Sequence, residues 1–434
     1  MSTTHLDRRA DPNSPREKAI LVGVRWDDTS RQTVEEHLSE LRLLTETAGG
    51  EVVGEVTQRR TRPDTTTFIG KGKAESLKWQ AAELGCTLII FDDDLTPSQQ
   101  KNLQHVAGDS IKVIDRSGLI IDIFARHART REAKTQVELA QLQYLLPRLT
   151  RQWTHLERQM GGIGTRGGPG EAQIEVDRRL IRSRIKKLQD ELRHIADERA
   201  VQSRRRRNAF RIALVGYTNA GKSTLMNALT DAEVFVEDQL FATLDTTTRK
   251  LTLDENTSIL LSDTVGFIRK LPHHLIASFR STLAEVAEAD LLLKVIDAAT
   301  PQAMEHFTTI NQVLEYLELN DTPSITVLNK LDAITDRSSL TQLQRQFPEG
   351  VIVSAIRRLR LEQLESAILE AYSREFVTDQ LRIPIQAVKL LDTIYQSLEV
   401  KDRSYEEDTT ILTVRGPKNI IQTLQARADG SQDS

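Results

Sequence analysis

The chain has almost no cysteine. Cys86 is the only one in 434 residues, so no intramolecular disulfide can form and a cysteine-based metal cluster is excluded, which fits a reducing compartment. Long apolar runs are missing too. No uninterrupted apolar stretch approaches the roughly 20 residues that cross a bilayer, and the opening MSTTHLDRRADPNSPREK is polar, without the apolar core of a secretory leader. The nine histidines show no metal-ligand spacing with cysteine or carboxylates, so no zinc site is expected. These absences predict a soluble, cytoplasmic protein with no integral membrane segment.

A chain of 434 residues is too long for one core and predicts about three domains of roughly 100 to 200 residues each. The formal net charge of -4 conceals an asymmetry: residues 125–210 hold 20 Lys/Arg against 10 Asp/Glu, while the remainder holds 38 against 52. One segment therefore carries +10 and the rest -14. The basic segment suits a polyanion.

Periodicity divides the chain further. Residues 1–17 read as a disordered tail. Over 18–117, strand-length apolar runs (AILVGVRW, EVVGEVTQ, TLIIFDDD, IKVIDR) alternate with helical-period segments, the pattern of a small parallel α/β domain. Over 118–207 the pattern is long, charged and helical, from about Gly118 to Gln159 and again from about Ala172 to Ser203, which reads as an antiparallel hairpin. The tip, residues 161–170, contains six glycines, and glycine costs roughly 1 kcal/mol against alanine inside a helix, so the tip is a loop. Two readings of it stand: a plain connector, or a backbone shaped for close approach to RNA phosphate. Arg151, Arg158, Arg166, Arg178 and Arg179 crowd the tip and its flanks and are the candidate RNA contacts.

The richest chemistry lies in 208–375. The strand RIALVG leads into G-x-x-x-x-G-K-S from Gly216 to Ser223 and then into an apolar helix, the context a P-loop requires. The backbone of Gly216, Tyr217, Thr218, Asn219, Ala220, Gly221 and Thr224 is expected to wrap phosphate, Lys222 to reach the β- and γ-oxygens, and the Ser223 hydroxyl to ligate Mg²⁺. In LLSDTVG, Asp263 ends an apolar strand and can hold Mg²⁺ through water; Thr264 and Val265 lead to Gly266, whose N–H can meet a γ-phosphate. Farther on, SITVLNKLD supplies Asn329, Lys330, Leu331 and Asp332. The Asp332 carboxylate can accept from guanine N1–H and the exocyclic amine, donors adenine does not present in that arrangement, so GTP rather than ATP is expected. Ser354, Ala355 and Ile356 form the last loop against the base. Between these motifs, FATLDTTTRK offers Thr243, Thr246, Thr247 and Thr248 as the switch threonine; a threonine-rich strand edge is the alternative, and spacing alone does not choose.

GYTNAGKST, FATLDTTTR, DTVGFI and NKLD, together with the order of segments and the glycine-rich tip, resemble HflX-type GTPases, a ribosome-associated branch related to Obg, over roughly residues 18–375. The resemblance implies a GTPase converting GTP to GDP and phosphate with Mg²⁺, whose N-terminal domain binds the large ribosomal subunit and its rRNA. It also implies a hairpin tip reaching toward the peptidyl-transferase region, and the splitting or rescue of stalled or idle ribosomes, chiefly under stress. By the family pattern Thr243, within Phe241, Ala242, Thr243, Leu244 and Asp245, is the Mg²⁺ threonine, and Lys222, Ser223, Thr243 and Gly266 form the catalytic set. Thr246 stands where the usual pattern has proline.

Phe267 follows Gly266, where many GTPases carry a glutamine that orients the attacking water. A phenyl ring cannot do this, so turnover is expected to be slow and ribosome-stimulated. The alternative is that Phe267 only packs and another side chain orients the water. Weaker signals remain open: Gly70 to Lys73 as a phosphate-binding turn or a plain connector, and Arg204 to Arg207 as an RNA grip or an exposed hinge. Residues 376–434 read as a small α+β domain with a polar tail and no evident chemistry. The expected protein is a monomer that binds GTP and GDP, associated with ribosomes in the cytoplasm. A switch in ribosome assembly or signalling, with another RNA or protein partner, is the competing reading.

Overall fold

A computed structural model describes residues 16–149, 171–204, 210–230, 240–241, 246–253, 258–270, 284–334, 336–374, 376–384, 388–406 and 409–430. They fall into two units, the first mainly residues 1–194 and the second mainly 195–434.

In the first unit β1 (Lys18–Arg25) is buried almost end to end, which explains its continuous apolar run AILVGV. Ser30 caps α1 (Arg31–Thr47) by accepting from Thr33 N–H, and Val34, Leu38, Leu41 and Leu44 form its buried stripe. There follow β2 (Glu51–Arg59), α2 (Lys71–Glu83), β3 (Leu88–Phe91), α3 (Pro97–Ala107) and β4 (Lys112–Asp115). Thr96 and Gln99 form a capping box ahead of α3, with Pro97 at its start. The strands pair in the order β2-β1-β3-β4, all parallel.

The helical pattern expected to run on from Gly118 is divided. Asp115 caps α4 (Arg116–His127) by accepting from Gly118 N–H, and Leu119, Ile120, Ile121, Ile123 and Phe124 of that helix are all buried. A new helix, α5 (Arg131–Leu145), starts at Thr130, whose hydroxyl accepts from Ala133 N–H. Two local caps thus override a continuous period. α5 pairs antiparallel with α6 (Glu171–Arg204): Arg131 meets Glu191 at 2.7 Å and Arg184 forks onto Glu138 at 2.7 and 2.8 Å. Leu139, Leu142, Leu149, Ile181 and Leu188 fill the seam. The tip 161–170, with Arg151, Arg158 and Arg166, and Arg205 to Arg207 lie outside the described residues.

The second unit is built on β5 (Arg211–Gly216), α7 (Lys222–Thr230), β6 (Thr247–Thr252), β7 (Ser258–Asp263), β8 (Leu291–Asp297), α8 (Ala303–Tyr316), β9 (Ser324–Asn329), α9 (Arg337–Gln346), β10 (Val351–Ile352) and α10 (Leu361–Arg374). Its sheet runs β10-β9-β8-β5-β7-β6. Every pairing is parallel except that of the edge strand β6 with β7. Leu214, Leu293, Val295 and Val327 on the central strands are fully buried. The sheet's order turns back between β5 and β7 on one side and β8 on the other, and ligands of such sheets bind beyond the carboxyl ends of the strands at that point. The chain continues into β11 (Phe376–Pro384), α11 (Val388–Ser397), β12 (Glu399–Glu406), β13 (Thr409–Pro417) and α12 (Lys418–Gly430). These make an antiparallel sheet, β11-β13-β12, with its own core of Leu381, Ile383, Ile394, Leu412, Val414 and Ile421.

Candidate nucleotide site

At the carboxyl end of β5, the loop from Gly216 to Gly221 enters α7. Asn219 and Gly221 both adopt left-handed backbone, φ 58° and 86°, turning the intervening amides toward a common centre in the manner of an anion nest. At Gly221 a Cβ would lie 2.4 Å from Asn329 Nδ2, so no side chain is tolerated there. Lys222, at the first turn of α7, is buried. Its ammonium donates to the carbonyls of Gly216 at 3.2 Å and Tyr217 at 3.0 Å. Burial pulls its pKa down to about 8, with Asp263 opposing the shift. A buried cation above a helix N-terminus is matched to phosphate. The Thr218 hydroxyl is also buried, with no hydrogen-bond partner among the described residues.

Ser223 Oγ donates to Asp263 Oδ2 at 2.5 Å, bringing together the two oxygen ligand types a small hard cation takes beside phosphate. The residues present therefore fit Mg²⁺. Thr264 Oγ1 donates to the Leu214 carbonyl at 2.6 Å, tying the segment after β7 to β5. Gly266 sits tight against the loop: a Cβ there would lie 2.8 Å from Thr218 Cα and 3.0 Å from Lys222 Nζ. Phe267 then joins the loop through its main chain, its N–H donating to Gly216 O at 2.9 Å and its carbonyl accepting from Thr218 N–H at 2.7 Å. The residue is only 1% exposed, so the side chain is a core element, and the hydrogen bonds to the loop come from the main chain.

The base-side loops converge through one residue. Asn329 Nδ2 donates to Ala220 O at 3.0 Å, while Asn329 Oδ1 accepts from Ala355 N–H at 3.0 Å. Asn329 thus ties the phosphate loop to the loop after β10. Lys330, at φ 65°, turns the chain sharply and pairs with Asp297 at 2.8 Å; Leu331 N–H donates to Val353 O at 3.1 Å. Asp332 accepts from the Ser354 hydroxyl, which aims its carboxylate. Ala355 is buried and Ile356 is 71% exposed.

The switch candidates separate. Thr247 and Thr248 lie in β6, and Thr248 Oγ1 hydrogen-bonds Ser262 Oγ at 2.9 Å, the strand-edge role; Thr246 immediately precedes β6. Phe241 is described, buried, in left-handed backbone and grouped with the first unit. Ala242, Thr243, Leu244 and Asp245 lie outside the described residues. Of the hairpin arginines, Arg178 reaches Leu149 O at 3.5 Å and Glu175 at 3.9 Å, and Arg179 is exposed.

Two arrangements had no sequence signal. The Tyr217 ring stacks on His306 at 3.8 Å and 11°, and its hydroxyl accepts from Arg269 N–H at 2.8 Å, pinning the chain just past Phe267. In the first unit, Arg116, 1% exposed, pairs with Asp92 and Glu40, each at 2.8 Å. Beside it, Asp115 accepts from Tyr144 Oη at 2.8 Å and Arg148 at 3.1 Å.

Family models match most of the chain: "GTP-binding GTPase N-terminal" over residues 35–125, "GTP-binding GTPase Middle Region" over 127–206 and "50S ribosome-binding GTPase" over 211–330. Among curated proteins, GTPase HflX of Flavobacterium psychrophilum is 53% identical over 317 residues, 73% of this chain and 76% of that one. GTPase HflX of Escherichia coli is 43% identical over 405 residues, 92% of this chain and 94% of that one. The chain belongs to the HflX family of GTPases. In this HflX-family member the loop of Gly216 to Ser223 and the DTVG segment fall within the residues matched by the ribosome-binding GTPase model, and the NKLD loop begins at its end. Among the described residues, no helix is long and apolar enough to cross a membrane.

Proposed function

We propose that this GTPase binds the large ribosomal subunit and its rRNA, and uses GTP-dependent engagement to split or rescue stalled or idle ribosomes under stress, acting as a monomer in the cytoplasm. The observation that carries this reading is Phe267: a full phosphate cradle is followed by a buried ring, so the position that elsewhere orients water offers none of its side chain. The buried ring favours a partner that completes the site, and the match of residues 211–330 to a family described as 50S ribosome-binding supports the ribosome as that partner. The basic segment 125–210 supplies the charge an rRNA surface requires.

In this mechanism the P-loop amides and Lys222 bind and orient the phosphates, the Gly266 N–H meets the γ-phosphate, and Asp332 reads guanine. Ser223 and Thr243 would hold Mg²⁺, with Asp263 supporting it through water, and the ion would supply positive charge against that of the phosphates. Asn329 keeps the base and phosphate halves in register. Single-turnover hydrolysis of prebound GTP, with and without purified large subunits, tests the reading. Slow turnover that rises steeply with subunits is expected, since completing a water-orienting site is worth several kcal/mol of barrier. Fast turnover alone, indifferent to subunits, would overturn it.

A further inference from the structure

The loop after β10 is a sealed hairpin. Ser354 N–H donates to Leu359 O at 3.1 Å and Leu359 N–H returns to Ser354 O at 3.0 Å, an antiparallel bridge. Arg357 N–H donates to Ser354 Oγ at 3.2 Å, and the same hydroxyl donates to Asp332, so the hairpin is braced on the guanine-reading carboxylate. Beyond that brace it turns outward. Ile356 is 71% and Leu359 47% exposed, and Arg357, Arg358 and Arg360 are exposed as well.

Two of these arginines stand where a side chain is disfavoured. Arg358 has φ 51° and Arg360 φ 61°, left-handed backbone in which glycine alone escapes the Cβ clash. Left-handed backbone at residues other than glycine clusters at ligand sites, where the surrounding structure holds it. No acid interrupts residues 356–361; Glu362, in the first turn of α10, is the first along the chain. Guanidinium groups stay charged at every working pH and fork onto phosphate, and the exposed Ile356 and Leu359 offer apolar surface to a sugar or an unpaired base.

We infer that the hairpin Ser354–Arg360 is an RNA-phosphate contact on the guanine side of the second unit, contributed by residues other than the basic segment 125–210. The inference deepens the ribosome reading and rests on it. The test is the double variant Arg358→Gly/Arg360→Gly, because glycine relieves the backbone while deleting both guanidiniums. Its thermal midpoint should equal or exceed that of the unaltered chain, so weaker binding cannot be assigned to unfolding. Binding to purified large subunits, with a non-hydrolysable GTP analogue and across a salt series, should show a log-log slope shallower by about 0.7 to 0.9 for each phosphate that the variant leaves unneutralised. An unchanged slope with unchanged affinity overturns the inference. So does lowered affinity with an unchanged slope, which would mean an uncharged protein contact. If the unaltered chain fails to bind subunits, the ribosome reading falls, and the same comparison on protein-free rRNA extracted from them decides the hairpin: a slope shared by both proteins overturns it.

Discussion

Phe267→Ala removes a ring that is 1% exposed, and the cavity should cost about 3 to 5 kcal/mol of stability. Phe267→Leu fills most of that space and should cost less, while leaving single-turnover hydrolysis close to that of the unaltered chain, because only the main chain of this residue bonds to Gly216 and Thr218. Urea melts beside single-turnover assays separate the two effects; hydrolysis abolished by Phe267→Leu would give the ring a direct role. Lys222 makes a second prediction at this scale. Its folded pKa, about 8, lies below the ordinary 10.5, so between those values the unfolded chain binds more protons and stability rises with pH. Phosphate favours the ammonium and reverses the shift. GTP binding near pH 8.5 should therefore take up protons, read as calorimetric heats that depend on the buffer's ionisation enthalpy. Buffer-independent heats would show that Lys222 is already fully charged without nucleotide.

The elements differ in how openly the sequence displays them. Strands β1, β5, β8 and β9 are legible because a parallel strand buried on both faces must be apolar throughout, and α3 because Thr96, Pro97 and Gln99 write its start locally. The break between α4 and α5 is hidden, since the charged helical period runs through it and only the competing cap at Thr130 interrupts it. The Arg116 cluster is invisible for another reason: its partners lie 24 and 76 positions away. Arg116→Ala would take from Asp92, itself nearly buried, the guanidinium that pairs with it at 2.8 Å, and should cost about 3 to 5 kcal/mol. Denaturation with urea checks this, and a destabilisation below about 1 kcal/mol would mean that water enters the site and solvates Asp92.

Across the whole molecule, the segregation of +10 into residues 125–210 against -14 elsewhere predicts an association steered by charge. Neutralising Arg166, Arg178 and Arg179 should weaken large-subunit binding and flatten its log-log salt dependence by about 0.7 to 0.9 for each phosphate no longer paired with a guanidinium, with GTP affinity unaltered; equal slopes in filter binding would leave the hairpin as scaffold. The nucleotide chemistry is readable in the sequence because it is local: the side chains proposed to meet phosphate and guanine sit within short contiguous motifs. What holds those motifs in register is not readable there. Asn329 joining Ala220 to Ala355, the Phe267 main chain paired to Gly216 and Thr218, Ser354 aiming Asp332, and Tyr217 stacked on His306 all join residues far apart in the chain. Such pairings exist only once the sheet order β9-β8-β5-β7 has set the carboxyl ends of its strands side by side, and no local period encodes that order. The sequence determined which ligand the chain takes; the tertiary structure decided that Phe267 is core, and which arginines stand out at the rim of the guanine loop.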